Sequence, residues 1–250
     1  TKNMFSLNIS LCINSALQTK WVKTGAFITS AYNMARTNKL GMRPSTVKNY
    51  ITALNSLSVF VSVHKERYLT PSCLVKYEAW LKDNGKNRNT TSCYIRSLRS
   101  LFNKCYPNSQ HPFHKTFTGH ATTPKRSLSL NDMRHIIRCS SLIPEFLHVF
   151  YDIFLFSVFG LGIPFADVTR LTRNNIHGNM LVYHRRKTGK KISVPLLPEM
   201  LEILSRYKTN DDNALLFPVL KSSYCSQTTY HNALCRYNRA LGKIGRLLGI

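Results

Sequence analysis

Acidic residues are scarce in this chain of 250 residues, which has 11 Asp and Glu against 35 Lys and Arg and a formal net charge of +24. None occurs before Glu66, and the neighbours Asp211 and Asp212 fit a turn or helix cap better than a metal site. Because two-metal phosphoryl transfer needs clustered carboxylates, this scarcity argues against such a mechanism. The excess of cations favours a polyanionic partner, either nucleic acid or an anionic membrane surface.

Paired cysteines, nucleotide-binding loops and membrane-length apolar runs are also missing. The seven cysteines include no CxxC pair, which indicates reduced, mostly buried thiols in a cytoplasmic protein and argues against disulfides or a zinc site. The sequence contains no GxxxxGK[ST] or GxGxxG motif. The longest apolar stretch, residues 146–163, is interrupted by Asp152 and is shorter than the roughly 20 residues that span a bilayer. We therefore expect no cofactor, no metal and no membrane partner.

Positive charge is present in both halves of the chain. Residues 1–124 carry 17 basic and 3 acidic residues, or +14, and residues 125–250 carry 18 and 8, or +10. Hydrophobic residues make up 43% and aromatic residues 11%, which is enough apolar material for packed cores. Two basic halves are typical of two surfaces that hold one polyanion.

The first half predicts a helical domain over residues 1–106. Apolar residues recur at helical spacing in four segments, and Thr70-Pro71 is a typical N-cap followed by a first-turn proline. The four helices are expected over 21–36, from Ser45, from Thr70 and from Thr90 or Thr91. Residues 107–127 contain three prolines and a glycine without apolar periodicity, and they predict a linker.

The second half predicts a domain over residues 128–250 that is mainly helical. Helices are expected from Ser129 or Asn131, over 146–159, over 165–171, from Pro198 and over 227–248. Between them the apolar period changes to two around a turn that contains Gly189, which predicts a β-hairpin. The fold class is therefore α+β: mainly α with a small antiparallel β-hairpin.

The tip of this hairpin is the most informative motif. Five of the seven residues from Arg185 to Lys191 are Lys or Arg. A charged tip is commonly just solvated, but a tight turn with Thr and Gly also brings ammonium and amide groups close to phosphate. Given the charge of the chain, we favour contact with nucleic acid. The residues assigned to DNA binding are Arg185, Arg186, Thr188, Lys190 and Lys191, with Arg96 and Arg99 on a helix of the first half.

Phosphate chemistry without a metal requires cations in its place. Arg side chains would hold the non-bridging oxygens, and a Lys or His would protonate the leaving oxygen. Lys187 is the best-placed candidate for that acid.

Five segments of the chain match one protein family. They are residues 77–82 (YEAWLK), 89–99 (NTTSCYIRSLR), 111–113 (HPF), 165–168 with Leu171 (FADV), and 183–189 (YHRRKTG). Through them nearly the whole chain resembles the tyrosine site-specific recombinases, or phage-type integrases, and most closely a branch common on mobile elements of Bacteroidetes-like bacteria. The hairpin segment is the most specific match, since it is similar to the family's hairpin that carries the catalytic lysine.

This resemblance implies a helical core-binding domain followed by a catalytic domain. Members of the family cut one DNA strand with a tyrosine, form a 3′-phosphotyrosyl link and exchange strands through a Holliday junction without metal or ATP. By resemblance, Lys187 is the general acid for the 5′-oxygen and Asp167 supports the first catalytic box. The implied partner is double-stranded DNA, with self-association or a full-length recombinase on that DNA.

The match to the family is incomplete at two places. The two positions where the first box should carry Arg hold Leu161 and Pro164, and Arg170 and Arg173 stay open as substitutes. Residues 237–250 look like the segment just upstream of the family's HxxR box, so that box and the nucleophilic tyrosine are expected to be absent. Tyr224, Tyr230 and Tyr237 precede that box and are interpreted as packing or DNA-facing residues.

The leading hypothesis is thus an integrase-type recombinase of a mobile element that binds DNA but does not cleave it. A non-catalytic accessory protein that occupies recombination sites is the alternative. A general RNA-binding protein is less favoured, because the sequence has no RRM or KH signature. We expect a bacterial cytoplasmic protein, associated with the nucleoid when bound to DNA.

Overall fold

The computed structural model describes residues 21–37, 41–124, 127–207, 211 and 213–250. The chain folds into two compact units, and the boundary between them lies between residues 125 and 126. Cys12 and Asp212, which the sequence analysis interpreted as a buried thiol and part of a turn, lie outside the described residues. Within these ranges, no helix is both long enough and apolar enough to cross a membrane.

The described part of the first unit has four helices: α1 (Thr24–Thr37), α2 (Pro44–His64), α3 (Pro71–Asp83) and α4 (Arg88–Cys105). The Thr70 side chain accepts a hydrogen bond from the backbone N–H of Cys73 at 3.0 Å, which makes it the N-cap that its position predicts. Helix α4 begins before the predicted Thr90, because the Asn87 side chain accepts from the Thr90 N–H at 2.8 Å and caps the helix earlier.

Apolar packing holds the first unit together. Its fully buried residues come from all four helices and include Phe27, Leu54, Phe60, Tyr77 and Leu98. The chain before α1 pairs with the chain before α3: the Leu69 N–H donates to the Val22 carbonyl at 2.9 Å, and the Thr24 N–H donates to the Arg67 carbonyl at 3.0 Å.

The segment predicted to be a linker, residues 107–127, differs from that prediction. A 3-10 turn forms over Pro112–Lys115, and Phe113 is buried in the core of the first unit. Such a segment has no apolar periodicity, because isolated contacts hold it: the buried Phe113 ring and side-chain hydrogen bonds from Asn89 and Arg99. Sequence periodicity does not reveal such isolated contacts.

Five helices lie within the residues of the second unit that the structure describes: α5 (Leu130–Arg138), α6 (Glu145–Phe159), α7 (Phe165–Val168), α8 (Pro198–Ser205) and α9 (Gln227–Leu247). A reciprocal capping box of Ser129 and Asp132 starts α5. Helix α7 is shorter than the predicted 165–171, because the Leu171 carbonyl accepts from the Leu216 N–H at 2.8 Å and the chain there is extended.

The sheet of the second unit has the order β1-β2-β3, with both pairs of strands antiparallel. Its strands are β1 (Ile176–His177), β2 (Met180–His184) and β3 (Lys191–Pro195). The predicted hairpin is β2 and β3, in which Leu181 lies opposite Val194 and both side chains are buried. The short strand β1 was not predicted. The fold class is mainly helical with a small antiparallel sheet, as the sequence predicts.

Asp152, which interrupts the apolar run of α6, is completely buried. Its carboxylate accepts from Arg206 Nη1 at 2.8 Å and from the Tyr207 hydroxyl at 2.7 Å, so it ties α6 to the end of α8. Burial, and then the bond to Asp152, raise the pKa of Tyr207. The six described cysteines are free thiols; the prediction of mostly buried thiols holds for Cys73, whereas the other five are half-buried.

Candidate nucleic-acid interface

The turn between β2 and β3 carries the cationic cluster, and it is closed by its own backbone. The Arg185 carbonyl accepts from the Thr188 N–H at 3.1 Å and from the Gly189 N–H at 2.7 Å, and the Arg185 N–H donates to the Lys190 carbonyl at 2.9 Å. Gly189 has a φ of +73°, in the left-handed region that glycine adopts without strain. Since every residue from Arg185 to Lys191 is exposed, the closed turn presents its cations to solvent.

A buried carboxylate fixes this turn to the rest of the unit. Asp167 on α7 is 5% exposed, and its Oδ1 accepts from the backbone N–H of Arg186 at 3.0 Å. A hydrogen bond to a carboxylate is stronger than one between neutral groups, so it holds α7 and the turn in register. The structure thus brings together the predicted first-box acid and the residue next to Lys187.

A cleft of about 200 Å³ lies beside this contact. It is lined by α7 and the residues that follow it, by β2 and the turn, and by the loop before α9. Its polar and charged lining residues are Asp167, Arg170, Asn175, Tyr183, His184, Arg186, Ser223 and Tyr224. Burial, and then the charge of Asp167, raise the pKa of Tyr183, so this phenol is neutral at physiological pH. Pockets for drug-sized ligands have volumes of roughly 300–1,000 Å³, so this smaller cationic cleft suits a single phosphate group better.

Arg170 is the residue that organises the cleft wall. Its Nε donates to the Ser223 carbonyl at 3.1 Å, its Nη1 to the Ala166 carbonyl at 2.9 Å and its Nη2 to Cys225 Sγ at 3.3 Å. Its guanidinium lies over the ring of Tyr230, with the carbon 4.8 Å from the centroid. All three acceptors are neutral, so none of these hydrogen bonds neutralises the positive charge of the Arg170 guanidinium in the cleft.

The positions at which the resemblance expects Arg do not line the cleft. Leu161 is 82% exposed in a left-handed conformation, and Pro164 precedes the first turn of α7. Of the two substitutes left open, Arg170 lines the cleft and Arg173 does not. The Nε of Arg173 is buried without a hydrogen-bond partner. The sequence offers one signal that Arg170 lies near Asp167. The two are three residues apart, and in the helix predicted over 165–171 such residues share a face.

The two DNA-binding candidates of the first unit differ in their surroundings. Arg96 is exposed on α4, whereas Arg99 donates from Nη1 to the Thr118 hydroxyl at 3.2 Å. That contact belongs to a series between α4 and residues 117–121, in which Asn89 exchanges two hydrogen bonds with the backbone of Ala121 at 2.7 and 2.9 Å. The structure therefore gives Arg99 a partner within its own unit.

Three other side chains of the cleft were not singled out by sequence reasoning. They are His184 at the end of β2, Asn175 before β1 and Ser223 in the loop before α9. They are far apart in sequence and meet only through the fold. Among the described residues, no group of three or more His, Cys, Asp and Glu side chains could hold a metal ion.

Comparisons with known proteins agree with this architecture. Residues 26–118 match the model of the phage integrase SAM-like domain family. No curated protein matches the chain. Among solved structures, a lambda integrase tetramer bound to a Holliday junction aligns with a TM-score of 0.63 and 15% identity, over 96% of this chain and 75% of that chain.

Two further structures are similar. A lambda integrase dimer bound to a COC′ core site has a TM-score of 0.64 and 15% identity, over 96% of this chain and 72% of that one. The Tn1549 transposon integrase in complex with a circular intermediate DNA has a TM-score of 0.57 and 14% identity, over 86% of this chain and 79% of that one.

The fold of the chain is thus the two-unit fold of the tyrosine integrases, in which a helical unit precedes a unit with a small antiparallel sheet. Residues 26–118 match the phage integrase SAM-like domain, and the fold of the chain is similar to that of the lambda and Tn1549 integrases. The assignment to a Bacteroidetes-like branch stays a prediction.

Proposed function

We propose that the protein binds duplex DNA with both units and acts in the site-specific integration and recombination of a mobile element. The observation that carries this proposal is the bond from the Arg186 N–H to Asp167, which holds a turn rich in Lys and Arg beside a cationic cleft. A cationic turn with a fixed backbone positions DNA through its phosphates at little cost in backbone ordering. The DNA-bound integrases of similar fold support the same partner.

In this proposal the hairpin residues have separate roles. When a tyrosine supplies the nucleophile, Lys187, at the centre of the turn, donates a proton to the leaving 5′-oxygen. Asp167 acts through the backbone by holding the turn. Arg185, Arg186, Thr188, Lys190 and Lys191 contact phosphates on either side. This division suits the geometry, because the backbone of the turn is fixed while its long side chains are exposed.

The helical unit supplies the second contact with the duplex. Arg96 is exposed on α4 and is proposed to bind the phosphate backbone, together with Arg99 if it leaves Thr118. A net charge of +14 in the first half and +10 in the second supports two surfaces on one duplex. We propose that the protein resides with the DNA, in the cytoplasm and nucleoid of a bacterium, and assembles there with further recombinase subunits.

The test is the salt dependence of duplex binding, measured by fluorescence anisotropy. Each phosphate neutralised by a cation contributes about 0.9 to the slope of log affinity against log salt concentration. The double variant Lys190→Gln/Lys191→Gln should therefore bind more weakly and lower that slope by about 2.

The matched control removes the same charge elsewhere on the second unit. Arg134 and Arg138 are exposed on α5, and Arg134→Gln/Arg138→Gln should change affinity and slope much less. Equal effects of the two double variants would show that net charge alone drives binding, and the assignment of the hairpin would then be wrong.

Strand cleavage by residues 1–250 is a separate matter. Tyr237 is buried, Tyr230 lies beneath Arg170, and Tyr224 precedes the position at which the family's nucleophile is expected. We propose that these 250 residues bind DNA without cutting it. A covalent protein–DNA adduct on a denaturing gel, after incubation with a nicked duplex, would overturn this statement and leave the binding proposal intact.

One observation favours the alternative of a non-catalytic accessory protein. Leu161 and Pro164 stand where the resemblance expects Arg, and neither lines the cleft. If this alternative holds, the chain should occupy recombination sites and alter the strand exchange of a full-length relative. The test adds this protein at saturating concentration to a full-length recombinase. If the rate of strand exchange does not change, the accessory-protein alternative is wrong.

A further inference from the structure

Among the described residues of the second unit, the most exposed large hydrophobic side chain lies at the rim of the cationic cleft. Tyr224 is 94% exposed, yet it lines the same cleft as Arg170, His184 and Arg186. An aromatic ring that is almost wholly in water gains nothing from burial in the folded chain. Packing within the folded chain therefore does not explain why Tyr224 stands at this position.

The loop that presents this ring is held on both sides of it. Arg170 binds the carbonyl of Ser223, which precedes Tyr224, and the sulfur of Cys225, which follows it. The Tyr224 N–H donates to the Ser222 hydroxyl at 3.1 Å, and Ser226 caps helix α9 directly afterwards. The backbone of Tyr224 is thus fixed, so that little conformational entropy is lost when the ring meets a ligand.

The surroundings of the ring favour a nucleotide as that ligand. A phosphate in the cleft would lie among Arg170, His184 and Arg186, and the sugar and base attached to it would extend past the rim where Tyr224 stands. Aromatic rings beside cationic grooves bind single-stranded nucleic acid by stacking on successive bases. The bases of an intact duplex have both faces covered by their neighbours, so a ring stacks only on a base that has left the duplex.

We propose that Tyr224 is a stacking residue for an unpaired base next to the phosphate held in the cleft. The inference rests on the proposed function, since it requires DNA in this cleft. It adds a preference for locally opened DNA over intact duplex, which the cationic hairpin by itself does not supply, because phosphates are present in both.

The experiment compares two DNA probes. One is a fully paired duplex, and the other has the same sequence with a short gap that leaves one unpaired 2-aminopurine. Wild type should bind the gapped probe more tightly than the duplex, and the fluorescence of the 2-aminopurine should change on binding. Tyr224→Ala should bind the gapped probe roughly tenfold more weakly while keeping its affinity for the duplex.

Two variants serve as controls. Tyr224→Phe keeps the ring and should keep the preference for the gapped probe. Phe146→Ala removes another exposed aromatic ring of the second unit, 68% exposed on α6 and outside the cleft, and should change neither affinity. Because Tyr224 is so exposed, the far-UV circular dichroism of its variants should equal that of wild type.

Each other outcome overturns a defined statement. If Tyr224→Ala binds both probes as wild type does, the stacking role is wrong and the proposed function stands. If Tyr224→Phe loses the preference as Tyr224→Ala does, the hydroxyl and not the ring makes the contact, and stacking is again wrong. If wild type shows no salt-dependent binding to either probe, the proposed function fails, and this inference fails with it.

Discussion

The first unit pairs its half-buried carboxylates with exposed lysines, whereas the second unit buries two carboxylates almost completely. In the first unit, Glu66 lies 2.8 Å from the exposed Lys76 and Glu78 lies 3.1 Å from the exposed Lys82. Ion pairs with an exposed partner contribute about 0–1 kcal/mol each, so the stability of this unit depends on its apolar core.

In the second unit Asp152 and Asp167 are buried, and each joins two separate elements. Asp152 connects α6 to Arg206 and Tyr207 at the end of α8, and Asp167 connects α7 to the turn of the hairpin. Burying a carboxylate is costly unless its oxygens are satisfied. Both oxygens of Asp152 accept hydrogen bonds, and Oδ1 of Asp167 accepts one. The unit with the cleft thus joins its elements through almost completely buried carboxylates. In the helical unit the half-buried Glu78 makes the comparable link, since it accepts from the Phe117 N–H at 3.3 Å, and its ionic partner is an exposed lysine.

The largest effect that can break this comparison is expected at Asp152. Asp152→Ala removes a fully buried side chain and leaves the half-buried Tyr207 hydroxyl and the partly exposed Arg206 without their acceptor. We expect a loss of about 2 kcal/mol in the free energy of unfolding. Glu66→Ala should cost less than about 1 kcal/mol, since its partner is an exposed lysine. Urea denaturation followed by far-UV circular dichroism measures both.

Tryptophan fluorescence adds the location of the effect. Both tryptophans, Trp21 and Trp80, belong to the first unit. The fluorescence transition should therefore move little in Asp152→Ala while the circular dichroism transition moves strongly. Equal losses in Asp152→Ala and Glu66→Ala would show that buried carboxylates do not distinguish the two units.

A second effect concerns alkaline pH. Burial raises the pKa of Tyr151 and of Tyr237 in the second unit to about 12. Their ordinary pKa is about 10, so their contribution to stability is complete below pH ~10 and is lost as the pH rises through about 12. Tyr237→Phe removes one ionisable group, and the alkaline unfolding midpoint measured by circular dichroism should move to higher pH.

The exposed Tyr224 is the control for this titration. Tyr224→Phe makes the same substitution at a side chain that is 94% exposed, and it should leave the alkaline midpoint unchanged. If both variants move the midpoint alike, the loss of stability comes from total charge and not from buried phenols.

The smallest predicted effect is a gain in stability from replacing a residue in the left-handed region by glycine, and it should be the same in both units. Lys65 after α2 and Leu161 after α6 have φ angles of 52° and 60°, in the left-handed region that costs non-glycine residues about 1 kcal/mol. Replacing either by Gly removes this strain but adds entropy to the unfolded chain, so we expect a gain of up to about 1 kcal/mol, seen as a higher melting temperature. A loss of stability in Leu161→Gly alone would show that this exposed side chain has a contact that the backbone argument omits.

Elements that short-range signals define were predicted from the sequence. Thr70 before Pro71 and Ser129 before α5 cap their helices as their positions indicate, and alternation around Gly189 marks the hairpin. The predictions were wrong where contact with a residue distant in sequence determines the local structure. Residues 107–127 were expected to be a linker, but Phe113 packs into the first unit, and α7 ends early because Leu171 pairs with Leu216.

The sequence by itself determined that this protein is basic in both halves, that its first half is helical and that a hairpin carries its densest cationic cluster. These properties are compositional or depend on residues a few positions apart, so periodicity and turn chemistry reveal them. Only the tertiary structure decided that Asp167 holds a turn 19 residues away and that Arg170 fixes a loop 53 residues away. Which distant polar groups meet depends on the packing of whole elements, and spacing along the chain carries no information about that.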